Sequence, residues 1–580
     1  MTDINKNNLS KDPSPYLQQH KSNPVNWQTW SNETLNFAKS SSKPILLSIG
    51  YSSCHWCHVM AHESFEDNET AKLMNKYFIN IKVDREERPD LDFVFQSSFQ
   101  LFNQAGGGWP LTMFLDENGV PFMGGTYFPK NSQHGLPAFQ EVLSKVYEAY
   151  KDQREKIIMQ KNLITKNLEL KKTSVLNQDL EPILDLSLNN LDSNKGGLKG
   201  APKFPTFNLF ETLLYFYNKT ENKKYLEPVS LVLKQLCSKG IYDHVDGGIS
   251  RYTVDENWTV PHFEKMLYDN TQFISLISKY CKIKPDNYFK HKLEQSIEFL
   301  IKNFTNNRSG LMGSAYDADS DGVEGKYYVF SYDEVKHLDS INNYFNVDPN
   351  GNWENKIILT EKRQGETAPK KLINELLKIR LKRKKPFFDH KVQLDLNCLW
   401  ISSLIAANNI LPNKKYLEQA EKYFSKIEKL FINSGVHHSY SKNIVFLEDY
   451  AFLINTLLDL SDATMNFKYI NMAKKLCQEA IEKFYIKEKN IFQKNQINSK
   501  DIFFDPIEIN DNTTPNGNAV MLINFARLGL MEEGKKLTTS LNGYLNMYKS
   551  HMTTAIKAID FFNNKLSGKN CNEQGCKIND

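Results

Sequence analysis

The first 150 residues combine short apolar runs with amphipathic segments of helical spacing. Four runs indicate buried strands, the last two joined as a hairpin by the turn at 116–119: residues 44–49, 78–84, 111–115 and 120–123. Segments with helical spacing lie between and after them: residues 54–60, 70–77, 90–101 and 136–150. This order of elements predicts an α/β domain built on a central sheet.

From about residue 181 onward the pattern becomes almost wholly helical. Segments with 3.6-residue spacing recur: residues 208–218, 225–240, 265–282, 288–303, 395–410, 416–431, 447–460, 469–485 and 516–527. Long loops rich in Gly, Asp, His and Tyr separate them, which favours an (α/α)6 toroid of six helical hairpins. The charged stretch 146–172 predicts a helical connector. We therefore expect three regions: residues 1–170, residues 171–565 and a polar tail, 566–580.

The segment Cys54-His55-Trp56-Cys57-His58 fits three chemistries. Its spacing is that of a redox dithiol, of a covalent haem attachment site and of a soft-metal site. It follows the first predicted strand and opens a helix, which is where a thioredoxin fold carries its dithiol. Pro110 opens the strand that would face it, and we predict a cis Trp109–Pro110 bond there. These positions favour the redox dithiol.

In this interpretation Cys54 is the attacking thiolate, because a helix N-terminus lowers the pKa of a cysteine, and Cys57 is the resolving thiol. His55 would tune the pair, and Trp56 and Pro110 would shape the docking surface. Two alternatives stay open: a metal held by Cys54, Cys57 and His58, or two inert buried cysteines. Haem is disfavoured, since the fold leaves no room for it and the N-terminus resembles no export signal.

Composition narrows the classes of partner. The 580 residues exceed one ordinary core, and the net charge of +4, from 72 basic and 68 acidic residues, indicates no nucleic-acid partner. A mean hydropathy of −0.52 and the lack of an 18-residue apolar run indicate no membrane span. The 8 cysteines are few, so we expect a reducing cytoplasm. In the tail, Cys571 and Cys576 could form a disulfide or a metal clip, or lie in disordered chain.

The predicted toroid carries its polar candidates in three stretches, around residues 240–270, 315–327 and 448–450. Candidate catalytic groups are Asp246, His262, Glu264, Asp317, Asp319 and Asp449. Candidate binding groups are Lys203, Arg251, Tyr252, Trp258, Lys265, Tyr268, Asp269, Glu324 and Tyr450. Carboxylates with a histidine, near aromatic rings, suit sugar recognition or general acid–base catalysis. The alternative is a hydrogen-bonded loop that only closes the toroid.

Several of these stretches together resemble one family, the thioredoxin-domain proteins related to spermatogenesis-associated protein 20. The matching motifs are SIGYSSCHWCHVM (48–60), KVDREERPDLD (82–92), GGWPLTMFL (107–115), GGLKGAPKFP (196–205), RYTVDENWTVPHFEKMLYDN (251–270) and DADSDGVEGKYYVF (317–330). The resemblance implies a thioredoxin-like domain followed by an (α/α)6 toroid of the six-hairpin glycosidase and sugar-epimerase type. His390, Leu396 and Asn516 depart from the family pattern, which expects Asp, Trp and Ser there.

Three hypotheses follow. The first is a thiol–disulfide oxidoreductase that acts through Cys54 and Cys57 on a thiol protein partner. The second is a carbohydrate-active hydrolase or epimerase with a small sugar-like substrate, in which the thioredoxin-like domain is a scaffold. The third is a non-enzymatic metal-binding or regulatory protein that uses Cys54, Cys57 and His58. The first two need no cofactor.

Overall fold

The computed structural model describes residues 3–104, 106–133, 135–171, 179–440, 442–499 and 501–567, together with the backbone of 570–572 and 575–577. Contacts divide the chain into two compact units. The first unit comprises residues 1–171, 441–443 and 493–507, and the second comprises the rest. The segment 493–507 therefore leaves the predicted second region: Arg88 of the first unit holds Asp501 at 2.8 Å, and Asn495 donates to Asp90.

The first unit is built on one mixed sheet. Its strands are β1 (Ile45–Gly50), β2 (Ile79–Asp84), β3 (Leu111–Leu115) and β4 (Pro121–Gly125), in the order β2-β1-β3-β4. Its helices are α1 (Pro15–Gln19), α2 (Asn32–Ser41), α3 (His55–Met60), α4 (Asn68–Tyr77), α5 (Pro89–Asn103), α6 (Phe139–Asp152) and α7 (Arg154–Leu168). β1 and β2 are parallel, whereas β3 runs antiparallel to β1 and to β4. This topology is that of a thioredoxin fold, as predicted.

The two faces of β1 and β2 have different chemistry, because successive side chains of a strand point to opposite faces. One face carries apolar side chains that join the core with α5, among them Ile45, Leu47 and Ile49. The other face carries the register pairs Ser48↔Lys82 and Gly50↔Asp84, which are polar or small although both strands are buried throughout. The predicted cis peptide at Trp109–Pro110 is confirmed.

The second unit is a closed ring of helices. Six inner helices contact one another in cyclic order: α9 (Phe207–Thr220), α11 (Leu267–Ile283), α16 (Leu394–Asn408), α18 (Leu447–Thr464), α20 (Gly517–Leu528) and α22 (Thr553–Leu566). Outer helices pack on them: α8 (Leu180–Leu188), α10 (Lys223–Ser238), α12 (Asn287–Phe304), α17 (Tyr416–Ile427), α19 (Phe467–Phe484) and α21 (Met531–Tyr548). The first helix, α8, contacts the last, α22, and the ring closes there as an (α/α)6 toroid, the predicted fold.

Polar residues fix where these helices begin. Asn222, Asp286 and Asn466 each accept a hydrogen bond from a backbone N–H two residues on, and Asn516 accepts one from Ala519 N. Outer helices therefore start directly after short turns. The inner helices α11, α16, α18 and α20 instead follow long loops, which collect at the N-terminal ends of the inner ring.

Short elements lie within those loops. The strands are β5 (Lys265–Met266), β6 (Ala315–Tyr316), β7 (Asp319–Ser320), β8 (Val323–Glu324), β9 (Phe388–Asp389), β10 (Tyr485–Ile486) and β11 (Ile491–Phe492). The helices are α13 (Tyr332–Val335), α14 (Ile341–Tyr344) and α15 (Lys370–Arg380). In the tail, β12 (Asn570–Asn572) pairs with β13 (Gly575–Lys577), and the side chains of Cys571 and Cys576 lie outside the described residues. No helix of the described chain has the length and apolarity to cross a membrane.

Candidate functional site

The dithiol lies at the start of α3, directly after β1. Cys54 and Cys57 form a disulfide with a Cα–Cα separation of 5.2 Å. Cys54 is the N-cap of α3, and its Sγ accepts a hydrogen bond from Cys57 N at 3.2 Å. Because the unpaired amides of a helix N-terminus carry partial positive charge, a thiolate at Cys54 is stabilised there. The local geometry therefore favours Cys54 as the nucleophile of the reduced form.

Aromatic side chains lie in and near the segment that carries the buried disulfide. Trp56, inside the motif, is 48% exposed and its ring packs at 5.3 Å from that of Tyr127. Trp109, which precedes the cis Pro110, lies edge-on to Tyr51 at 5.8 Å and under the guanidinium of Arg85 at 3.9 Å. Leu111 pairs with Ile49, so Pro110 comes beside the end of β1 and the dithiol.

A charged side chain is buried on the polar face of β1 and β2. Lys82 Nζ contacts Ser48 Oγ at 3.1 Å and lies within 4.3–5.2 Å of the ring centroids of Phe65, Trp27 and Tyr16. No carboxylate of the described residues pairs with it. Burial lowers the pKa of Lys82 well below its usual value. An ammonium without a counter-ion is costly in such surroundings, so the neutral amine is favoured.

The hydroxyl of Tyr16 lies in the same buried layer. Tyr16 is fully buried, and its Oη finds no hydrogen-bond partner among the described residues. A Cβ placed on Gly50 would lie 2.3 Å from this oxygen and 2.8 Å from Cys57 Sγ. The hydroxyl and the sulfur thus adjoin the gap that glycine leaves at the end of β1.

The dithiol region gives little support to the hypothesis of a metal held by Cys54, Cys57 and His58. Cys54 and Cys57 share a disulfide here, so their sulfurs are not thiolate ligands in this state. His55 packs edge-on to Trp56, and His58 lies further along α3. In the described part of the chain, the His, Cys and acidic groups whose ligand atoms come within 4.8 Å of one another are Asp395, His438 and Asp449.

This second cluster already satisfies its own polar atoms. His438 Nδ1 contacts Asp449 Oδ1 at 2.8 Å, and the other Asp449 oxygen accepts from Phe446 N. His438 Nε2 lies 3.4 Å from the Gln393 amide. Burial, opposed by His438, raises the pKa of Asp395 to about 7. The His438 ring is thus fixed by the buried carboxylate of Asp449, which lies in the first turn of α18.

In the second unit the predicted residues around a short three-stranded sheet form separate ion pairs. Lys265 pairs with Tyr316 and Tyr316 with Phe388, so these side chains share one face. Lys265 Nζ binds Asp243 at 2.7 Å, and Asp246 binds Lys302 at 2.9 Å. Glu264 directly precedes β5 and pairs with Arg251, so the structure does not bring Asp246 and Glu264 into one ion pair.

The residues of the 251–264 stretch form two further pairs. His262 Nδ1 lies 2.7 Å from Glu324 Oε1, a contact that the β7–β8 hairpin supplies. The Tyr252 ring covers His262 at 4.8 Å. Arg251 Nη1 lies 3.3 Å from Glu264 Oε1, and both side chains are buried. Residue 263, at φ 54°, turns the chain so that both of its neighbours, His262 and Glu264, contact side chains of the 251–252 segment.

The remaining predicted residues lie in several places. Asp319 N donates to Asp317 Oδ1, within a turn, while Tyr268 and Asp269 occupy the first turn of α11. Three further candidates have polar groups with partners inside the second unit. Lys203 is buried beside Asp192 and the Glu256 carbonyl, Trp258 is fully buried and donates to Lys195 O, and the Tyr450 hydroxyl reaches the outer helix α19 at Glu479.

A cavity of about 340 Å³ runs along the axis of the inner ring. Its wall includes Glu211, which Lys279 contacts at 2.7 Å, and Asp459, which Arg527 contacts at 2.7 Å. Hydroxyl and amide side chains fill much of the rest: Asn208, Thr271, Gln272, Ser275, Ser402, Ser403, Asn455, Thr456 and Thr554. Among the described residues that line it, none belongs to the predicted toroid set. The sequence did signal it weakly, as polar residues at inner positions of helices 208–218 and 447–460.

Sequence reasoning also missed the buried layer beneath the dithiol. Tyr16, Ser48 and Lys82 were not singled out as functional residues, although Ser48 and Lys82 are polar residues of buried strands. The runs ILLSIG and INIKVD each carry a polar residue in the middle of a fully buried strand. Such a residue is rare unless it has a partner or a task, and that is the signal that could have identified it.

Together these features define a two-unit protein, with a thioredoxin-like domain that carries a disulfide-forming Cys-x-x-Cys and an (α/α)6 toroid. Residues 6–169 match the family model Thioredox_DsbH, described as a protein of unknown function, DUF255. The human spermatogenesis-associated protein 20 is 32% identical over 83% of this chain and 70% of its own length. A Caenorhabditis elegans relative, uncharacterized protein B0495.5, is 33% identical over 91% of this chain and 81% of its own length. The chain belongs to the spermatogenesis-associated protein 20 family.

Solved structures with similarity to the chain include two sugar-converting enzymes. Cellobiose 2-epimerase from Bacillus thermoamylovorans is 12% identical, with a TM-score of 0.43 over 64% of this chain and 86% of its own. A D-mannose isomerase is also 12% identical, with a TM-score of 0.43 over 66% of this chain and 96% of its own. The assignment of the toroid rests on the cyclic contacts of its own inner helices.

Proposed function

We propose that the protein catalyses thiol–disulfide exchange through Cys54 and Cys57. The observation that carries the proposal is the disulfide at the N-terminus of α3, whose Cys54 Sγ already accepts a hydrogen bond from the helix backbone. The same amide would hold a Cys54 thiolate after reduction, and thiolates are the reactive form. The aromatic rings of Trp56 and Tyr127 at the surface offer a contact area for a protein partner.

The exchange transfers two electrons. A thiolate of a dithiol partner attacks Cys54 Sγ, the Cys54–Cys57 bond breaks, and Cys57 leaves with the electron pair. The partner's second thiolate then attacks the partner sulfur that is bonded to Cys54, a disulfide forms within the partner and Cys54 leaves as a thiolate, so the partner is oxidised and this chain holds two reduced cysteines. In the reverse direction Cys54 attacks a partner disulfide and Cys57 resolves the mixed disulfide. We expect a thiol protein as the partner and the cytoplasm as the compartment.

The test is a redox titration against a glutathione series, with alkylation of free thiols and mass measurement of the intact chain. We expect a single two-electron transition that Cys54→Ser and Cys57→Ser abolish. Cys57→Ser should in addition accumulate a mixed disulfide through Cys54, since the resolving sulfur is missing. Cys477→Ala, at a buried free cysteine of the second unit, is the matched control and should titrate like the wild type. A chain whose Cys54 and Cys57 never pair across the series would refute the proposal.

A second candidate function is binding or conversion of a small sugar-like molecule by the toroid. It is supported by the axial cavity, whose volume of about 340 Å³ suits a small ligand and whose wall is dense in hydroxyl, amide and charged groups. Such groups match the hydroxyls of a carbohydrate. On the loop side, His262 with Glu324 and Arg251 with Glu264 would be the candidates for acid–base chemistry.

This second function is tested by calorimetric titration with D-glucose, D-mannose and cellobiose. Ala406 lines the cavity, and Ala406→Leu would fill part of it without removing a charge. We expect at least one sugar to bind the wild type and to lose about tenfold in affinity in the variant. The absence of a binding signal for all three, or equal affinity in wild type and variant, would count against the toroid as a sugar site.

A further inference from the structure

Two polar groups beneath the dithiol have no anion to bind in the disulfide state. Tyr16 Oη is buried and has no hydrogen-bond partner among the described residues. Lys82 Nζ is buried 5.2 Å from the Tyr16 ring, and within the described chain it contacts one hydroxyl, that of Ser48, and no carboxylate. Leaving such groups unsatisfied is costly, so their retention points to a partner that is present in another state.

The position of the hydroxyl identifies that partner. A Cβ atom placed on Gly50 would lie 2.3 Å from Tyr16 Oη and 2.8 Å from Cys57 Sγ. The hydroxyl and the sulfur therefore both lie next to the Gly50 backbone. Burial and the neighbouring Asp84 raise the pKa of Tyr16 well above its usual value, so the group keeps its proton and can donate it in a hydrogen bond. A disulfide sulfur is a weak acceptor, whereas a thiolate is a strong one.

We propose that Tyr16 is the hydrogen-bond donor to Cys57 Sγ in the dithiol form, with the buried Lys82 amine beside the Tyr16 ring as a second group that favours a thiolate. This inference rests on the thiol–disulfide exchange proposed above. When a partner thiolate attacks Cys54 Sγ, the S–S bond breaks and Cys57 departs with the electron pair. The Tyr16 O–H then bonds to the departing sulfur in a site that water does not reach. In the reverse reaction the same bond holds Cys57 in place until it attacks the mixed disulfide.

The buried layer fits this role in its surroundings as well. Asp84, the nearest carboxylate on β2, accepts a hydrogen bond from Ser14 Oγ at 2.5 Å. His20 packs edge-on to the Tyr16 ring at 5.0 Å, and burial lowers the pKa of His20 well below its usual value, so it adds no charge near neutral pH. A thiolate at Cys57 would therefore be stabilised by the hydrogen bond from Tyr16, and its negative charge would favour protonation of the Lys82 amine.

Tyr16→Phe tests the inference, because it removes one oxygen and keeps the ring. In the glutathione series we expect its equilibrium to shift about tenfold toward the disulfide, since the dithiol form alone loses a hydrogen bond. The melting temperature of the disulfide form should not fall, because the deleted hydroxyl has no partner there. Lys82→Met should shift the equilibrium in the same direction.

Tyr150→Phe is the matched control in the same unit. The Tyr150 hydroxyl bonds to Glu117, so this variant should lose stability in both redox forms and leave the glutathione equilibrium unchanged. A Tyr16→Phe equilibrium equal to that of the wild type would overturn the inference, as would an equal loss of stability in both forms. If the wild type itself never forms the disulfide, the exchange function fails, which is a different and distinguishable outcome.

Discussion

Lys82 in the first unit and Lys265 in the second are both buried strand residues, but they have different neighbours. Lys265 binds Asp243 at 2.7 Å, and Arg380 binds the same carboxylate at 2.8 Å. Lys82 has three aromatic rings and a hydroxyl around it, and no carboxylate of the described chain. Burial lowers the pKa of both, and at Lys265 Asp243 opposes the shift.

This difference distinguishes a buried charged group that stabilises the fold, which we call a structural charge, from one that takes part in a reaction, which we call a chemical charge. A buried ion whose charge is balanced in the resting state holds loops in place, and the cost of burying it is offset within the fold. A buried polar or charged group that has no partner of opposite charge in one redox state stabilises the other redox state if an anion forms beside it there. On this basis we assign the Lys265 cluster to the architecture of the toroid, and we propose that the Lys82 layer serves the exchange chemistry proposed for the dithiol.

Breaking the Asp243 cluster should have the largest effect on stability. Asp243→Asn leaves Lys265 and Arg380 buried with one carboxylate fewer, and we expect the second unit to lose about 3–5 kcal/mol of unfolding free energy. The measurement is denaturant unfolding, followed by a signal from the second unit. The glutathione equilibrium of Cys54 and Cys57 should stay at its wild-type value.

The control for this variant is an exposed ion pair of the same unit. Asp333 lies on the surface beside Lys336, so Asp333→Asn should change the unfolding curve by no measurable amount. Equal effects of the two substitutions would show that burial does not distinguish these pairs. A shifted glutathione equilibrium in Asp243→Asn would show that the Asp243 cluster influences the dithiol, and would contradict its assignment as a purely structural charge.

Acid should reveal a second structural charge, Glu211 in the axial cavity. Burial would raise its pKa, but Lys279 and Lys557 outweigh that effect and hold the pKa at about 2. A carboxyl whose pKa is lower in the folded than in the unfolded state stabilises the fold above its unfolded pKa of about 4.3. That contribution, at most about 3 kcal/mol, should vanish as the pH falls from about 4 to 2.

Glu211→Gln isolates this contribution from those of other carboxylates. Unfolding free energies of wild type and variant should differ most above pH 5 and converge toward pH 2. Parallel curves over this range would contradict the depressed pKa of Glu211. The variant should leave the dithiol equilibrium unchanged, as expected for a group that serves the toroid.

Gly50→Ala changes the buried layer beneath the dithiol, next to Tyr16 and Cys57. The added Cβ would lie 2.3 Å from Tyr16 Oη and 2.8 Å from Cys57 Sγ, so one of them must move. We expect a loss of about 1–3 kcal/mol in stability from overpacking, and a shifted glutathione equilibrium because the hydroxyl and sulfur are forced apart. Gly106→Ala, where a Cβ meets nothing within 4 Å, is the control and should change neither. A loss of stability without a shift of the glutathione equilibrium would contradict the proposed hydrogen bond from Tyr16 to Cys57.

The elements of the fold could be predicted from the sequence, because they depend on local periodicity. The strands 44–49 and 78–84, the dithiol at a helix start and the cis Pro110 all follow from neighbours along the chain. The partners of charged side chains could not be predicted, since they depend on long-range packing. Asp246 and Glu264 come from one predicted stretch, but Asp246 pairs with Lys302 on α12, whereas Glu264 pairs with Arg251. Tyr16 and Cys57 are 41 positions apart, and only the β1–α1 packing brings them together.

The surface of the dithiol should show the smallest effect, and it tests whether redox chemistry and partner binding are separate. Trp56 is 48% exposed and packs on Tyr127, so Trp56→Ala removes contact area without touching the buried layer. We expect KM for a protein disulfide substrate to rise about fivefold, in the range of an interface contact of about 1 kcal/mol, with the glutathione equilibrium unchanged. Phe467→Ala, at a 75% exposed ring of the second unit, should change neither quantity. If Trp56→Ala shifted the equilibrium and left KM unchanged, Trp56 would have to be counted with Tyr16 and Lys82 as a group that tunes the sulfur pair. The buried groups that set the redox equilibrium and the surface groups that bind a protein partner could then no longer be treated as separate sets.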